Sequence, residues 1–244
     1  MNLPPSIVKV LETFAHHRLQ VLLMGGQACI VYGGAEFSRD IDFAILASSE
    51  NLLSLNSALR DLQAVVIAVP PLSLEVLQDG LAVHFRCLAP EVDGLRIDVM
   101  SHMRGVAPFA ELWSRRVDLE GGVNVLALSD LVQAKKTQRD KDWPMIRRLL
   151  EADYIRYPHP DSNQLDFWFR ECRTPDILFA LASEYPAAAA KHSRPAVQAA
   201  IAHADSEHLT NLLYQEEMAE RNADIAWWTP RKKQLENLRH NHSR

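Results

Sequence analysis

Apolar residues Ile7, Val10, Leu11 and Phe14 follow Pro4-Pro5-Ser6 at helical spacing, which predicts a helix opened by proline. His17 to Gln20 breaks that pattern. Val21 to Met24 is a short apolar strand, ended by a Gly25-Gly26 turn. Gln27 to Tyr32 then reads as a short buried helix, Gly33 to Phe37 as a loop, and Asp40 to Leu46 as a second strand. Ser48-Ser49 caps a helix over about 50–62, with apolar Leu52, Leu53, Leu55, Ala58 and Leu59. Ala64 to Val69 is β-branched and strand-like until Pro70-Pro71, and Ser73 to Gln78 forms a helical turn. Leu81 to Leu88 alternates, with Val83, Phe85 and Cys87 on one face and His84 and Arg86 on the other. Leu95 to Met100 alternates again after a short turn, so the two form an antiparallel hairpin.

Phe109 to Arg116 is helical, Asp118 to Gly122 a turn, and Val123 to Leu126 a strand. Ser129 caps a helix reaching Lys136, and Asp140 or Asp142 starts another that runs to Tyr154. Tyr157-Pro158-His159-Pro160 is strong punctuation and marks a domain boundary, giving domains 1–156 and 157–244. Past it, Leu165 to Arg170, Asp176 to Glu184, Ala187 to Ala204 and Glu207 to Trp228 all carry helical patterns. The expected architecture is α/β: a mixed sheet flanked by helices, then an all-helical C-terminal domain.

Against this pattern, three acids stand out. Side chains two apart on a strand share a face, so Asp40 and Asp42 present two carboxylates together while Ile41 points into the core. Close carboxylates repel each other and favour a hard cation. Mg²⁺ is commonly held by one or two carboxylates together with substrate phosphates. Gly25 and Gly26 let backbone approach a ligand closely, and amides at a helix start point at anions. Asp98, between apolar Ile97 and Val99 of the later strand, is the third acid. Phosphoryl or nucleotidyl transfer uses carboxylate-bridged metals about 3.5–4 Å apart, and a further carboxylate serves as base toward the attacking hydroxyl. The plainer alternative is that each Asp is an edge charge or a cap, and the glycines only a tight turn.

Other polar residues divide between roles. Ser38 is either a phosphate donor or the cap of the following strand, and Arg39 alternates away from the acidic face as a rim residue. Gln27 and Tyr32 are packing or helix-start groups. Lys135 and Arg139, four apart on an expected helix, share a face and would clamp β- and γ-phosphates, whereas Lys136 turns to solvent. The plain alternative there is a solvated mixed-charge helix.

Composition narrows the class. The 244 residues are 48% hydrophobic and 23% charged with a net charge of −5, which describes an ordinary globular protein without a broadly basic surface. Cys29, Cys87 and Cys172 are far apart and odd in number, so they are expected as reduced thiols of a cytoplasmic protein. The first residues carry no secretory-signal pattern, and no run approaches 18 apolar residues, so neither export nor a membrane span is expected. His16-His17, His240 and His242 are surface residues in this reading. The tail from Arg231 to Arg244 carries five basic residues and one acidic, and Arg147-Arg148 adds a basic pair.

The Gly25-Gly26 pair, Ser38-x-Asp40-Ile41-Asp42, the later Asp98, and Asp130-Leu131 with Lys135, Arg139, Lys141 and Asp142 together resemble the minimal nucleotidyltransferases of the DNA polymerase β superfamily. Within it, the pattern is similar to the abortive-infection toxins of type IV toxin–antitoxin pairs. The likeness covers roughly residues 20 to 155. It implies a nucleotidyltransferase fold and a nucleoside triphosphate donor with Mg²⁺. Asp40, Asp42 and Asp98 would be catalytic and metal-binding, and Gly25, Gly26, Ser38, Lys135 and Arg139 would hold nucleotide. It also implies a cognate antitoxin partner. The acceptor hydroxyl is open between tRNA, protein and a small molecule such as an aminoglycoside. The acidic net charge favours a cationic small acceptor, and the basic tail favours nucleic acid. A non-catalytic nucleotide-binding or partner module on the same fold is the alternative outside catalysis.

Overall fold

A computed structural model describes residues 4–119 and 121–242, and the side chains only to residue 240. The expectations that involve residues 1–3, Glu120, the side chain of His242 and Arg244 lie outside the described residues. The chain divides into two compact units, one of residues 1–31, 36–134 and 227–244, the other of residues 32–35 and 135–226.

The first unit is built on a seven-stranded mixed sheet. Its strands are β1 (Val21–Met24), β2 (Asp40–Ile45), β3 (Val65–Val66), β4 (Val83–Arg86), β5 (Arg96–Met100), β6 (Val117–Leu119) and β7 (Val123–Val125). They lie in the order β3-β4-β5-β2-β1-β7-β6. All four residues of β1 are buried, as expected of a strand flanked on both sides, by β2 and β7. The expected hairpin is present as the antiparallel β4–β5 pair. Its inward residues Val83, Phe85, Ile97 and Val99 pack with Ile41 and Phe43 of β2, none more than 2% exposed. Phe14 of α1 (Pro5–His16) sets its ring 4.8 Å from that of Phe43.

Helices α2 (Gly25–Val31), α3 (Ser49–Asp61), α4 (Leu74–Gln78), α5 (Phe109–Ser114) and α6 (Leu128–Lys135) fill the connections. Ser48 caps α3 by accepting from the Asn51 amide, as expected. Asn51 in turn bonds the carbonyls of Gln20 and Leu46, tying α3 to the ends of β1 and β2. Three local expectations change. The strand expected over 64–69 shrinks to Val65–Val66, with both residues exposed at a sheet edge. Asp118 belongs to β6, paired back on β7 through Asp118↔Asn124, rather than to a turn. α6 starts at Leu128, so Ser129 lies inside its first turn and does not cap it.

The second unit is helical. It contains α7 (Asp142–Arg156), α8 (Ser162–Glu171), α9 (Pro175–Glu184), α10 (Pro186–Ala189), α11 (Pro195–Ile201) and the first part of α12 (Ser206–His242). The punctuation at 157–160 joins α7 to α8 within this unit. The single helix expected over 187–204 is two, because Pro195 forces Arg194 out of helical geometry, to ψ 125°. α12 runs on through Pro230 well past the expected end at Trp228. Trp143, Trp168 and Phe169 centre the helical core, each at most 1% exposed. The core of this unit also absorbs charge: Lys136, expected in solvent, is 7% exposed and paired with Glu171 at 2.8 Å.

Candidate active site

The outward face of the sheet carries the acids. β2 runs parallel to β5 with Asp42 opposite Asp98 and Asp40 opposite Arg96. β4 runs antiparallel to β5 with His84 opposite Asp98. Residues in register on neighbouring strands share a face about 4.8 Å apart, so His84, Asp98 and Asp42 form a row across three strands, with Asp40 and Arg96 in the next row. The inward partners Ile41 and Ile97 are fully buried. The three acids expected to converge therefore do so by strand pairing, although Asp98 follows Asp42 by more than fifty residues.

The glycine pair closes one side of this row. A Cβ built on Gly25 would fall on the Asp42 carboxylate, with the Asp42 Cβ itself only 2.7 Å away. A Cβ on Gly26 would fall on the Ser38 hydroxyl. Gly25 has φ +64°, in the left-handed region that disfavours residues with a Cβ. Both glycines are thus the space into which Asp42 and Ser38 pack. They are the first residues of α2 and not, as expected, a turn ahead of a helix starting at Gln27. Gln27 is 1% exposed and donates from Nε2 to the Ser38 carbonyl at 3.1 Å, while Ser38 Oγ donates to the Asp40 carbonyl at 3.1 Å. The approach to β2 is fastened from α2 by these bonds. Arg39 is exposed, as expected of a rim residue.

Arg96 donates to both oxygens of Asp98, Nε to Oδ1 at 2.8 Å and Nη2 to Oδ2 at 2.9 Å. His84 Nδ1 lies 2.8 Å from Oδ1 and 3.1 Å from Arg96 Nη2. Burial pushes the Asp98 carboxyl upward, but hydrogen bonds and charge from His84 and Arg96 outweigh it, and the net direction is below the usual carboxylate range. Arg96 is pushed up, first by its hydrogen bond to Asp98, against a cost of burial, and then by the charges of Asp98, Asp40 and Asp42. One guanidinium therefore answers three carboxylates. Neither Arg96 nor His84 was singled out by sequence reasoning. Arg96 was within reach of it, since it stands two before Asp98 on an alternating strand. His84 required the hairpin register.

The remaining expected residues belong to the second unit. α6 ends at Lys135, so Lys135 and Arg139 are not neighbours on one helix. Both nevertheless meet at Asp142, which is fully buried: Lys135 Nζ lies 3.2 Å from Oδ1 and Arg139 Nε 2.8 Å from Oδ2. Thr137 Oγ1 donates to Oδ2 at 2.6 Å. Burial raises the Asp142 carboxyl, but the charges of Lys135 and Arg139 and the Thr137 hydrogen bond outweigh it and leave it lowered. Lys135 is 10% exposed at its side chain and Arg139 55%. Asp130, part of the same motif but in the sheet unit, is gripped by Arg115 through Nε at 2.6 Å and Nη2 at 2.8 Å.

The donor chemistry of Asp40 and Asp42 suits Mg²⁺, which needs only one or two carboxylates when phosphate oxygens complete its shell. Asp98 is already engaged by Arg96 and His84. Among the described residues no three His, Cys, Asp or Glu side chains form a ready metal cage.

No family model and no curated protein matches this sequence. Solved structures do resemble it. One, described as that of a candidate nucleotidyltransferase from H. pylori, is 13% identical with a TM-score of 0.42, covering 91% of this chain and 94% of that one. Among the described residues no helix is long and apolar enough to cross a membrane.

Proposed function

We propose that this protein is a metal-dependent nucleotidyltransferase, moving a nucleoside monophosphate from an NTP to an acceptor hydroxyl. The observation that carries the reading is the acidic row: Asp42 in register with Asp98, Asp40 beside them, and Gly25 shaped around the Asp42 carboxylate. Folding alone does not call for three acids on one sheet face, where like charges repel. The resemblance in motif, from Gly25-Gly26 through Ser38-x-Asp40-x-Asp42, points the same way.

In this reading Asp40 and Asp42 hold Mg²⁺, and Gly25, Gly26 and Ser38 border the phosphates. Mg²⁺ would neutralise charge on the transferring phosphoryl group and the leaving pyrophosphate. Asp98, held beside Asp42 by Arg96 and His84, would take the acceptor proton or complete the metal site. Of the two cations expected on the triphosphate, Arg139 keeps half its side chain in solvent, whereas Lys135 is buried on Asp142. The acceptor is a tRNA end, a protein side chain or a small-molecule hydroxyl. A place in a toxin–antitoxin pair, with a cognate antitoxin, rests on the motif resemblance.

A second reading has its own support. Asp98 is held by the Arg96 guanidinium and contacted by His84, which suits a module that binds nucleotide without transferring it. One experiment separates the two. The protein is incubated with each α-labelled NTP, Mg²⁺ and a total cell extract. Transfer that the Asp42→Asn variant loses supports the enzyme. Mg²⁺-dependent NTP binding with no labelled acceptor supports the binding module. Transfer unchanged in Asp42→Asn contradicts both assignments of this site.

A further inference from the structure

The helical unit holds an open pocket of about 280 Å³, and four of the eight residues that line it are aromatic: Tyr154, Tyr157, Trp168 and Tyr185. Glu184 is the one charged residue among those that line it. The Trp168 indole, a core residue, backs the pocket from beneath, and its N–H donates to buried Asp153 Oδ2 at 2.8 Å. Tyr154 stacks edge-on against it at 5.3 Å between centroids. Tyr185 donates its phenol proton to Glu184 Oε1 at 2.9 Å, and Glu184, an exposed residue, lines the pocket. No ion pair engages Glu184 among the described residues. Tyr157 remains 44% exposed at the rim, although folding gains by burying such a ring.

We propose that this cavity binds a small organic cation, an alkylated ammonium head group. Aromatic faces carry negative potential and attract a cation within about 6 Å of the ring centre, most strongly one that is bulky and weakly hydrated. A carboxylate beside them adds charge selectivity that an apolar docking groove lacks. The volume lies at the small end of ligand pockets, which run from about 300 to 1,000 Å³, so it suits a head group and not a large ligand. Prolines Pro158 and Pro160 stiffen the α7–α8 connection that forms one wall. The site owes nothing to the acidic row of the sheet unit and stands or falls apart from the proposed transfer reaction.

The test is calorimetric titration of the full chain with choline, and separately with 3,3-dimethylbutanol, its neutral isostere. Choline is expected to bind with one-to-one stoichiometry and the alcohol at least about tenfold more weakly. Glu184→Gln and Tyr157→Ala, both at exposed positions, are each expected to weaken choline about tenfold while thermal unfolding is unchanged. Equal binding of choline and the alcohol, no saturable binding of choline, or full choline affinity in Glu184→Gln would each overturn the proposal.

Discussion

Arg96 grips both carboxylate oxygens of Asp98 from two positions earlier on the same strand, with bonds of 2.8 and 2.9 Å. Burial is the largest single influence on that carboxyl and pushes it up, and only the His84 and Arg96 contacts bring it down. Replacing Arg96 by Ala therefore removes part of the downward pull and leaves the rest to His84. In Arg96→Ala the Asp98 carboxyl is expected to titrate above its wild-type midpoint, read by carbon-detected NMR of the labelled side chain. An unchanged midpoint would show that Arg96 contributes little to the charge balance of the acidic row.

Gly25 and Gly94 both have positive φ, at +64° and +77°, but only Gly25 faces a neighbour, the Asp42 carboxylate. Gly94→Ala should cost only the left-handed penalty of about 1–2 kcal/mol. Gly25→Ala should cost about 1–3 kcal/mol more, because Asp42 must move as well. Urea unfolding of the two variants gives the difference directly, and equal losses would mean that the carboxylate yields without strain.

These two relationships show what the sequence makes legible and what it hides. Alternation alone put Asp40 and Asp42 on one face and His84 and Arg86 opposite Val83 and Phe85, because period-two burial is written into each strand. That Asp98 converges on Asp40 and Asp42 is an expectation from chemistry, and the parallel β2–β5 register, with Asp42 opposite Asp98, supplies its geometry. Arg96 escaped notice because an arginine beside an aspartate in sequence gives no sign of which charges surround it in space. The helix argument for Lys135 and Arg139 failed for a different reason. Spacing of four implies a shared face only if the helix continues, and here it stops at Lys135 while a buried acid draws the two cations together. The break at Pro195 was readable, since proline restricts the residue before it; the continuation of α12 through Pro230 was not.

Asp142 is fully buried with Lys135 and Arg139 on its two oxygens. Asp142→Ala leaves Lys135 buried without that partner and should destabilise the fold by about 3–5 kcal/mol, measured by denaturant unfolding at pH 7. Asp142→Asn, which keeps a polar partner for Thr137, should cost less. Losses under about 1 kcal/mol for the alanine variant would show that Lys135 finds another partner or reaches water.

Acid sensitivity follows from the same carboxyl and from Asp98. Both are lowered in the native state. Their stabilising contribution is therefore fully present above the unfolded value of about 3.9 and is lost as pH falls from there through the native values. Stability should decline with acid below about pH 4, and Asp142→Asn should show a shallower decline over that window. Parallel curves for wild type and variant would remove Asp142 from the acid transition.

The three thiols are buried and unpaired in disulfides. Burial pushes Cys87 up to about 11, and also Cys172, where burial outweighs a hydrogen bond to Thr174. At pH 8 little thiolate forms at Cys87 and Cys172, and Cys29 is fully buried, so a disulfide reagent should titrate almost none of the three in the native protein and all of them in denaturant. Rapid labelling of Cys87 or Cys172 without denaturant would show local opening of its surroundings.

In the proposed function the acidic row takes up a divalent cation together with a triphosphate. The most direct test is calorimetric titration of wild type and Asp42→Asn with a non-hydrolysable NTP, each with and without Mg²⁺. Wild type is expected to bind only with Mg²⁺ present, and Asp42→Asn at least about tenfold more weakly. Affinity that is the same without the metal, or the same in the variant, would contradict this reading.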